Sequence, residues 1–449
     1  MSNKVISILI NRWNIINKNS YLAFLTVTLT ANFIVMGLTI ITGALGARML
    51  GVQGKGELTA IQLWPMMIAI LGSLGLTQSL TYFTSRKPQQ GLTYVTTSWL
   101  ILIPLAIFWM IVGYIFIPYL LQAQSYRIIQ ASRVFLLIVP LEFMAVSFGA
   151  LRGWKDFNEW NIVRVQRPVI YLLLLCAAWL IGLNDPVQVS RLILLASFAI
   201  IPSLLFVLSR HGKFNKAIPE VILLKPLLGY GYKAALGGIP FSLNARLDQL
   251  IIAAFLSPSL LGIYVVAVTW SKVPIPIIRA IGSVSFPDIA SRINTIDSNM
   301  QFARILRLSL LMCIAITIAI FLLTPVAIPL LFGQDFLPSI IPAMVLVIAG
   351  FFLFMNIILK EGLRGLGFPG ATAWAEGTGL VFTILFLLLL LPKYKILGAA
   401  IASLAAYSIT FIVLVAYTVL NTKLRIREIM IPKKEDLRTL FRKFSVPTN

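Results

Sequence analysis

Long apolar runs separated by short polar segments repeat along the whole chain. Most hold about eighteen or more consecutive mainly apolar residues, the length at which a helix crosses the hydrocarbon of a bilayer. Charged residues, glycine and proline fill the short segments and mark turns. The pattern predicts an all-α integral membrane protein with twelve transmembrane helices, at residues 22–47, 58–83, 92–118, 132–151, 164–183, 191–208, 234–256, 261–285, 303–332, 338–362, 370–391 and 396–420.

Composition agrees with a membrane protein, since 59% of the 449 residues are hydrophobic and 12% are charged. The net charge of +22 comes from Lys and Arg that lie mostly in alternate polar segments. This asymmetry follows the positive-inside rule and predicts that both termini are cytoplasmic. Nucleic acid is therefore not expected as a partner, whereas anionic membrane lipids are. Cys176 and Cys313 lie within apolar runs, so we expect no disulfide, metal site or cofactor.

A polar stretch in mid-chain divides the predicted helices into six and six. We predict an N-terminal lobe at 1–208, a basic cytoplasmic linker at 209–233, a C-terminal lobe at 234–420 and a basic cytoplasmic tail at 421–449. With six helices each, both lobes enter the membrane in the same direction. Their symmetry axis should then be a pseudo-twofold along the membrane normal, with a cavity between the lobes.

Two sequence echoes support a duplication. "ARMLGVQGKGELTAIQLWP" in the first half aligns with "AAFLSPSLLGIYVVAVTWS" in the second, pairing Gly56 with Gly262 and Trp64 with Trp270. "LRG" also recurs at the end of the fourth predicted helix of each half. Both echoes lie at equivalent places in the predicted topology.

Basic residues at depth are the main candidates for substrate binding. Arg246 and Lys272 lie near the middle of the seventh and eighth predicted helices, where a cation normally faces a bundle interior or a watery cavity. Arg279 follows Lys272 by seven residues and shares its face. Arg48 ends the first helix at the outer surface, where reaching the interface is favoured over a role in substrate binding. On a helical wheel Gln249 falls beside Arg246.

Acids at depth are fewer. Asp248 falls nearly opposite Arg246 on an ideal helix, so we predict that the Arg246 face lines the cavity and the Asp248 face meets a neighbouring helix. Glu142 lies in the fourth predicted helix and Glu376 in the eleventh. For each acid two roles stay open: an ion pair that stabilises the fold, or a site for a coupling ion, proton or sodium.

Deep charge that is net basic suits an anionic substrate, because phosphate groups pair well with Arg and Lys. A polar cavity surrounded by lipid also suits a headgroup that remains attached to a lipid. The residues alone thus predict a phosphate-bearing amphiphile as the substrate.

Two stretches resemble a known family. "GALGARMLGVQGKGELTAIQLWP" and "LDQLIIAAFLSPSLLGIYVVAVTWSKVPIPIIRA" are similar to Wzx-type polysaccharide or O-antigen flippases of the multidrug/oligosaccharidyl-lipid/polysaccharide exporter superfamily. The resemblance implies a V-shaped transporter, not an enzyme. It would move undecaprenyl-diphosphate-linked oligosaccharide from the inner to the outer leaflet of the bacterial cytoplasmic (inner) membrane by alternating access. The resemblance implies that Arg246 and Lys272 hold the diphosphate and sugar, followed by Arg48 and Arg279. We expect a monomer.

Three other functions stay open. A cation-coupled multidrug exporter of the same superfamily would need an acidic cavity. A polytopic glycan polymerase or ligase would need a large outer loop with catalytic residues, and a passive scramblase would not need cations at mid-depth. Relatives that carry peptidoglycan precursor usually have more basic residues in their early helices than this chain. A surface glycan is therefore favoured over that precursor as the substrate.

Overall fold

The computed structural model of this protein describes residues 21–212, 217–290, 295–422 and 424–433. The first twenty residues, part of the predicted linker and most of the predicted tail lie outside these ranges. Regular secondary structure within them is helical throughout.

Nine helices make up the described part of the N-terminal half. They are α1 Tyr21–Gly72, α2 Leu76–Arg86, α3 Gly91–Leu120, α4 Tyr126–Phe135, α5 Ile138–Ala145, α6 Gly149–Gly153, α7 Phe157–Leu180, α8 Pro186–Phe198 and α9 Ile200–Arg210.

Eight more helices follow in the described part of the C-terminal half. They are α10 Leu224–Asn244, α11 Leu247–Phe255, α12 Pro258–Ser271, α13 Ile275–Ala290, α14 Thr295–Phe332, α15 Ile340–Gly365, α16 Pro369–Thr422 and α17 Ile426–Met430.

Eight helical segments of the described chain are long and apolar enough to cross a membrane, or nine if the bent pair Pro258–Ser271 and Ile275–Gly282 forms one span. The outward faces of the helices are apolar: Ile103, Ile107 and Ile111, spaced four residues apart on α3, are each more than half exposed. Such a stripe is stable only against hydrocarbon or another apolar surface. The structure is therefore that of a multi-pass helical membrane protein, and the count of twelve helices stays a prediction.

Two helices are too long to be single spans. With 52 residues, α1 would be about 78 Å long if straight, against about 30 Å of hydrocarbon. Its backbone breaks at Gly51, where φ is 64° and ψ is −173°, which gives a first arm before Gly51 and a second arm after it. Similarly, α16 breaks at Lys395. Each break lies between two predicted transmembrane helices.

The predicted continuous seventh helix is wrong, because the chain unwinds between Asn244 and Leu247. Arg246 lies in this gap with φ −138° and ψ −3°. Unwinding leaves the carbonyl of Ala245 available, and the ammonium of Lys272 donates to it at 3.1 Å. A partly buried carbonyl that loses its helical partner needs another donor, and Lys272 supplies one.

The two halves of the chain touch closely where the paired glycines lie. A Cβ atom placed on Gly56 would lie 1.7 Å from the carbonyl oxygen of Pro258, and one placed on Gly262 would lie 2.0 Å from that of Val52. The second arm of α1 therefore packs backbone against backbone on α12. We call this contact the Gly56–Gly262 seam.

A second seam joins α2 to α10. The hydroxyl of Ser79 donates to the carbonyl oxygen of Leu227 at 2.8 Å, and the rings of Tyr82 and Tyr230 stack with centroids 4.3 Å apart. The first arm of α1 and the start of α13 both line an interior cavity.

Candidate functional site

A cavity of about 700 Å³ lies between the two halves. The two arms of α1 and α7 form one wall, and residues from Ala245 to Arg279 form the other. Five basic residues line it, and none of the described residues around it is acidic. These five are Lys55, Arg164, Arg246, Lys272 and Arg279.

On the C-terminal wall, the break in the seventh predicted helix presents Arg246 to the cavity, where its side chain is exposed. Gln249 lies on the same wall, one turn further along. Lys272 is close enough to interact with the charges of Asp248, Arg246 and Arg279. The structure thus brings together four of the five residues that the sequence proposed for substrate binding.

Arg48 is the fifth proposed residue, and it lies outside the cavity. Its Nε donates to the carbonyl oxygen of Leu331 at 3.0 Å, and its Nη2 donates to that of Leu330. Carbonyls in the last turn of a helix lack partners within the helix and carry a partial negative charge. Arg48 therefore caps the end of α14, which explains why it does not face the substrate space.

Lys55 is a cavity residue that sequence reasoning missed, because residues 48–57 were interpreted as a connection between helices. Its Nζ lies 3.4 Å from the carbonyl oxygen of Gly43. Thr59 and Gln62 line the cavity with it. The spacing i, i+4, i+7 places all three on one helix face and is readable in the sequence once the helix is known to start before Lys55.

Arg164 was also missed, since the fifth helix was predicted to begin there, at the membrane interface. The helix in fact begins at Phe157, two turns earlier. Nη2 of Arg164 donates to Oδ1 of Asn32 at 2.9 Å and Nη1 donates to Oδ1 of Asn161 at 3.2 Å, while its guanidinium lies 4.4 Å from the ring centroid of Trp160. These contacts fix the guanidinium at the cavity wall.

Two further cavities, of about 550 and 500 Å³, adjoin the first and share lining residues with it. Both contain Glu142, which forms an ion pair with Arg167, another residue that sequence reasoning missed. Arg246 lines the cavity of about 550 Å³ as well and is close enough to Glu142 to interact with its charge. Three adjoining cavities with charged residues in their walls therefore lie between α10 and α7.

Asp248 is buried and does not line the cavity. The hydroxyl of Tyr264 donates to its Oδ2 at 2.6 Å, and the backbone N–H of Gln249 donates to its Oδ1 at 2.8 Å. The neighbouring Asn244 accepts a hydrogen bond from Thr383 at 2.6 Å. Asp248 and Asn244 thus connect this segment to α12 and α16.

Glu376 is buried and forms an ion pair with Lys360 of α15, another cation that was not singled out in the sequence. The pair lies beside a small pocket of about 120 Å³ that Lys272 and Arg279 also line. Each of the three acids at depth therefore has a hydrogen-bonded or ion-pair partner in the structure.

Breaking the Lys360–Glu376 pair should destabilise the fold. The two side chains are only 8% and 7% exposed, and removing one partner of a buried pair leaves an unpaired charge at a cost of about 3–5 kcal/mol. We expect Lys360→Met to lower the thermal unfolding temperature of the purified protein clearly, and Lys360→Met with Glu376→Gln to recover much of the loss.

Arg364 and Glu361 supply the matched control on the same helix. Their side chains are 48% and 30% exposed, and exposed pairs contribute about 0–1 kcal/mol. Arg364→Met should therefore change the unfolding temperature little. Equal losses for Lys360→Met and Arg364→Met would contradict a stabilising role for the buried pair.

Apolar helices around a basic cavity that both halves of the chain enclose are typical of membrane transporters. Residues 22–293 match the sequence profile of the polysaccharide biosynthesis protein family, Polysacc_synt. The match covers more than half of the chain, and the protein therefore belongs to this family.

Solved structures show the same fold. An inward-facing multidrug resistance MATE family transporter of the MOP superfamily superposes with a TM-score of 0.70 at 15% identity, covering 88% of this chain and 98% of that one. The lipid II flippase MurJ in its inward closed conformation gives 0.69 at 14% identity, covering 95% and 94%. A MOP superfamily transporter from Pyrococcus furiosus, reported for the reverse polarity of its binding pocket, gives 0.62 at 14% identity, covering 89% and 96%.

One curated relative is Uncharacterized membrane protein MJ1068 of Methanocaldococcus jannaschii. It is 25% identical over 287 residues, which cover 60% of this chain and 55% of the relative. The chain thus spans about half the length of the curated relative it matches. The resemblance read from the sequence is confirmed for the family and for the fold of the superfamily.

Proposed function

We propose that the protein is a flippase that moves undecaprenyl-diphosphate-linked oligosaccharide, the repeat unit of a surface polysaccharide, from the inner to the outer leaflet by alternating access. The observation that carries the proposal is the cavity lined by five cations and, among the described residues, by no acid. A diphosphate in this cavity would gain charge-assisted hydrogen bonds from Arg246 and Lys272 on one wall and from Lys55 and Arg164 on the other.

The polar residues between these cations suit the sugar. Thr39, Thr59, Gln62 and Gln249 line the same cavity, and hydroxyl and amide groups can donate to and accept from sugar hydroxyls. The prenyl chain would leave sideways between the first arm of α1 and α13, whose residues Met36 and Pro276 both line the cavity. The headgroup would then cross in a polar space while the chain remains in hydrocarbon.

The architecture proposed for this cycle has twelve helices in two six-helix lobes, 1–208 and 234–420, about a pseudo-twofold along the membrane normal. With the predicted topology, the Gly56–Gly262 seam would lie toward the outer side, and the state described here would be closed on that side. A linker at 209–233 and a tail at 421–449 would lie in the cytoplasm of a bacterial cell. The protein would act as a monomer, and a proton or sodium gradient would drive transport.

Peptidoglycan precursor is a closer competitor than the sequence suggested. Few basic residues were expected in the early helices, which disfavoured this substrate. Lys55, Arg164 and Arg167 nevertheless line two of the adjoining cavities from the N-terminal half. The fold shared with a lipid II flippase is consistent with either diphosphate lipid. The test must therefore include both headgroups.

Multidrug export is the second candidate, favoured by the TM-score of 0.70 with an inward-facing MATE transporter. Its weakness is electrostatic, because an organic cation in the cavity would meet five like charges. An exporter of cations normally needs a carboxylate in contact with its substrate.

Purified protein in lipid vesicles should move a fluorescent diphosphate-linked oligosaccharide between leaflets, faster with an imposed ion gradient or membrane potential. The assay should compare a surface-glycan lipid, a peptidoglycan-precursor lipid and an organic cation, with empty vesicles as the background. Faster movement of the glycan lipid supports the proposal. Faster movement of the peptidoglycan-precursor lipid would change the proposed substrate to the cell-wall precursor. Movement of the organic cation alone would overturn it.

A further inference from the structure

Three side chains that can ligate a metal meet at one end of the N-terminal half, away from the cavity. Asp156 precedes α7, Glu159 lies in the first turn of α7, and His211 follows α9. Nε2 of His211 is 3.5 Å from Oδ2 of Asp156 and 3.9 Å from Oε2 of Glu159. One donor atom from each residue lies within 4.8 Å of the other two. The transport site uses none of these groups.

The spacing of the donor atoms fits a tetrahedral ion better than a hydrogen bond. A hydrogen bond between a ring nitrogen and a carboxylate oxygen would be about 2.7–3.2 Å long. Two ligands held about 2.0–2.1 Å from Zn²⁺ at the tetrahedral angle are about 3.3–3.4 Å apart. Octahedral Mg²⁺ with bonds of the same length would bring neighbouring ligands to about 2.9 Å. The two distances from Nε2 of His211 thus exceed the tetrahedral spacing by only about 0.1–0.6 Å.

Two of the three converging atoms are buried without hydrogen-bond partners. Oε2 of Glu159 and Nε2 of His211 are both inaccessible to solvent and unpaired. Buried polar atoms normally have a hydrogen-bond partner or ligand. Two unsatisfied atoms that converge on one point therefore indicate a ligand bound between them. The rest of each carboxylate is already engaged: Oδ1 of Asp156 accepts from the N–H of Glu159 at 3.3 Å, and Oε1 of Glu159 accepts from Arg210 at 2.6 Å.

Neighbouring groups also hold the ligands in place. The imidazole of His211 stacks on the indole of Trp154, with centroids 4.1 Å apart and 6° between the planes. Nε1 of that indole donates to the carbonyl oxygen of Pro88 at 2.8 Å. Metal sites in proteins rely on such outer contacts to orient their ligands. Here the ring, one carboxylate and the start of α7 are all fixed before an ion binds.

We propose that Asp156, Glu159 and His211 bind one divalent transition metal ion of the Zn²⁺ type, with water in the fourth position. The ion would tie the start of α7 to the end of α9, where the chain passes into the predicted linker. Because α7 carries Arg164, an ion here would also hold the helix that presents this cation to the cavity. The site is separate from the transport proposal and does not depend on it.

The composition of the chain makes the proposal easy to test. His211 is its only histidine, and its two cysteines, Cys176 and Cys313, lie in apolar helices elsewhere. Full-length protein purified with a non-histidine tag and stripped with a chelator should take up one Zn²⁺ per chain from micromolar Zn²⁺, measured by mass spectrometry of the metal. Zn²⁺ should also raise its unfolding temperature, and Mg²⁺ should do neither.

His211→Ala and Asp156→Asn should each weaken Zn²⁺ binding at least about tenfold, since even outer-shell changes cost about 10–100-fold. Asp185→Asn is the matched control, because Asp185 also accepts a hydrogen bond from a backbone N–H at the start of its helix, α8, yet pairs with Arg127. It should bind Zn²⁺ as the unmodified protein does. Elution of each variant as a folded monodisperse species excludes misfolding as the cause.

Either of two results would overturn the site. One is the absence of stoichiometric Zn²⁺ in the unmodified protein. The other is equal uptake by the unmodified protein and by His211→Ala, which would place the ion elsewhere. Equal binding of Mg²⁺ and Zn²⁺ would overturn it as well, since it would indicate only the attraction of a divalent cation to two carboxylates.

Discussion

Replacing Arg246 and Lys272 together by alanine should lower the rate of glycan-lipid movement at limiting substrate by about two to four orders of magnitude. Both side chains line the cavity from one wall. A hydrogen bond to a charged group contributes about 1.5–3 kcal/mol, and about 1.4 kcal/mol corresponds to a factor of ten. Either single variant should show about half of this effect on a logarithmic scale. The measurement is initial transport rate in vesicles at several substrate concentrations.

Arg48→Ala is the natural control for this experiment, since Arg48 is also a cation in contact with the other half of the chain but caps α14 outside the cavity. Its transport rate should fall much less than that of Arg246→Ala. Arg246→Lys should retain part of the activity, because it keeps the charge but loses the two-pronged donor geometry. Full transport by Arg246→Ala, with loss in a folded Asp248→Ala variant, would reverse the roles of the two faces.

The Gly56–Gly262 seam should not survive a side chain. A Cβ at Gly56 would lie 1.7 Å from a backbone oxygen of the facing helix, and a backbone atom cannot rotate away as a side chain does. Overpacking of this kind costs about 1–3 kcal/mol or more, enough to shift a two-state equilibrium about 10–100-fold. We expect Gly56→Val to open the seam, to depopulate the state described here and to abolish transport.

Spin labels at Gln53→Cys and Ser257→Cys, with Cys176 and Cys313 replaced by serine, would report the distance across the seam. Gly56→Val should lengthen it. Gly37→Val on the first arm of the same helix is the matched control, because a Cβ at Gly37 has no neighbour within 4 Å. An unchanged distance together with normal transport in Gly56→Val would show that the seam tolerates the methyl groups and does not control the cycle.

The seam gives the repeat in the sequence a physical meaning. Gly56 and Gly262 were aligned because they occupy equivalent places in the two halves, and the structure puts them against each other's helices. Small residues let helices approach until their backbones touch, which is how membrane helices associate without a hydrophobic driving force. A glycine conserved between the halves of one chain is therefore explained by packing rather than by substrate contact.

Only some of the basic residues that line the cavity could be predicted from the sequence. Arg246 and Lys272 stand out because long apolar runs surround them, and both line the cavity. Lys55 and Arg164 do not stand out, because their helices were predicted to begin several residues later than they do. Both residues therefore fell at or outside a predicted helix end. Hydropathy locates the middle of a span well and its ends poorly, so a cation within two turns of an end cannot be assigned a depth.

The sequence by itself determined that this chain is a multi-pass helical membrane protein with a basic interior and an internal echo. Hydropathy and charge asymmetry are sums over local residues, and lipid acts on each span almost separately. Only the tertiary structure decided the break at Arg246, the partners of Glu142, Asp248 and Glu376, and the removal of Arg48 from the cavity. These depend on which helices, often more than a hundred residues apart, present their faces to one another, and a side chain's partner is chosen by that packing rather than by its neighbours along the chain.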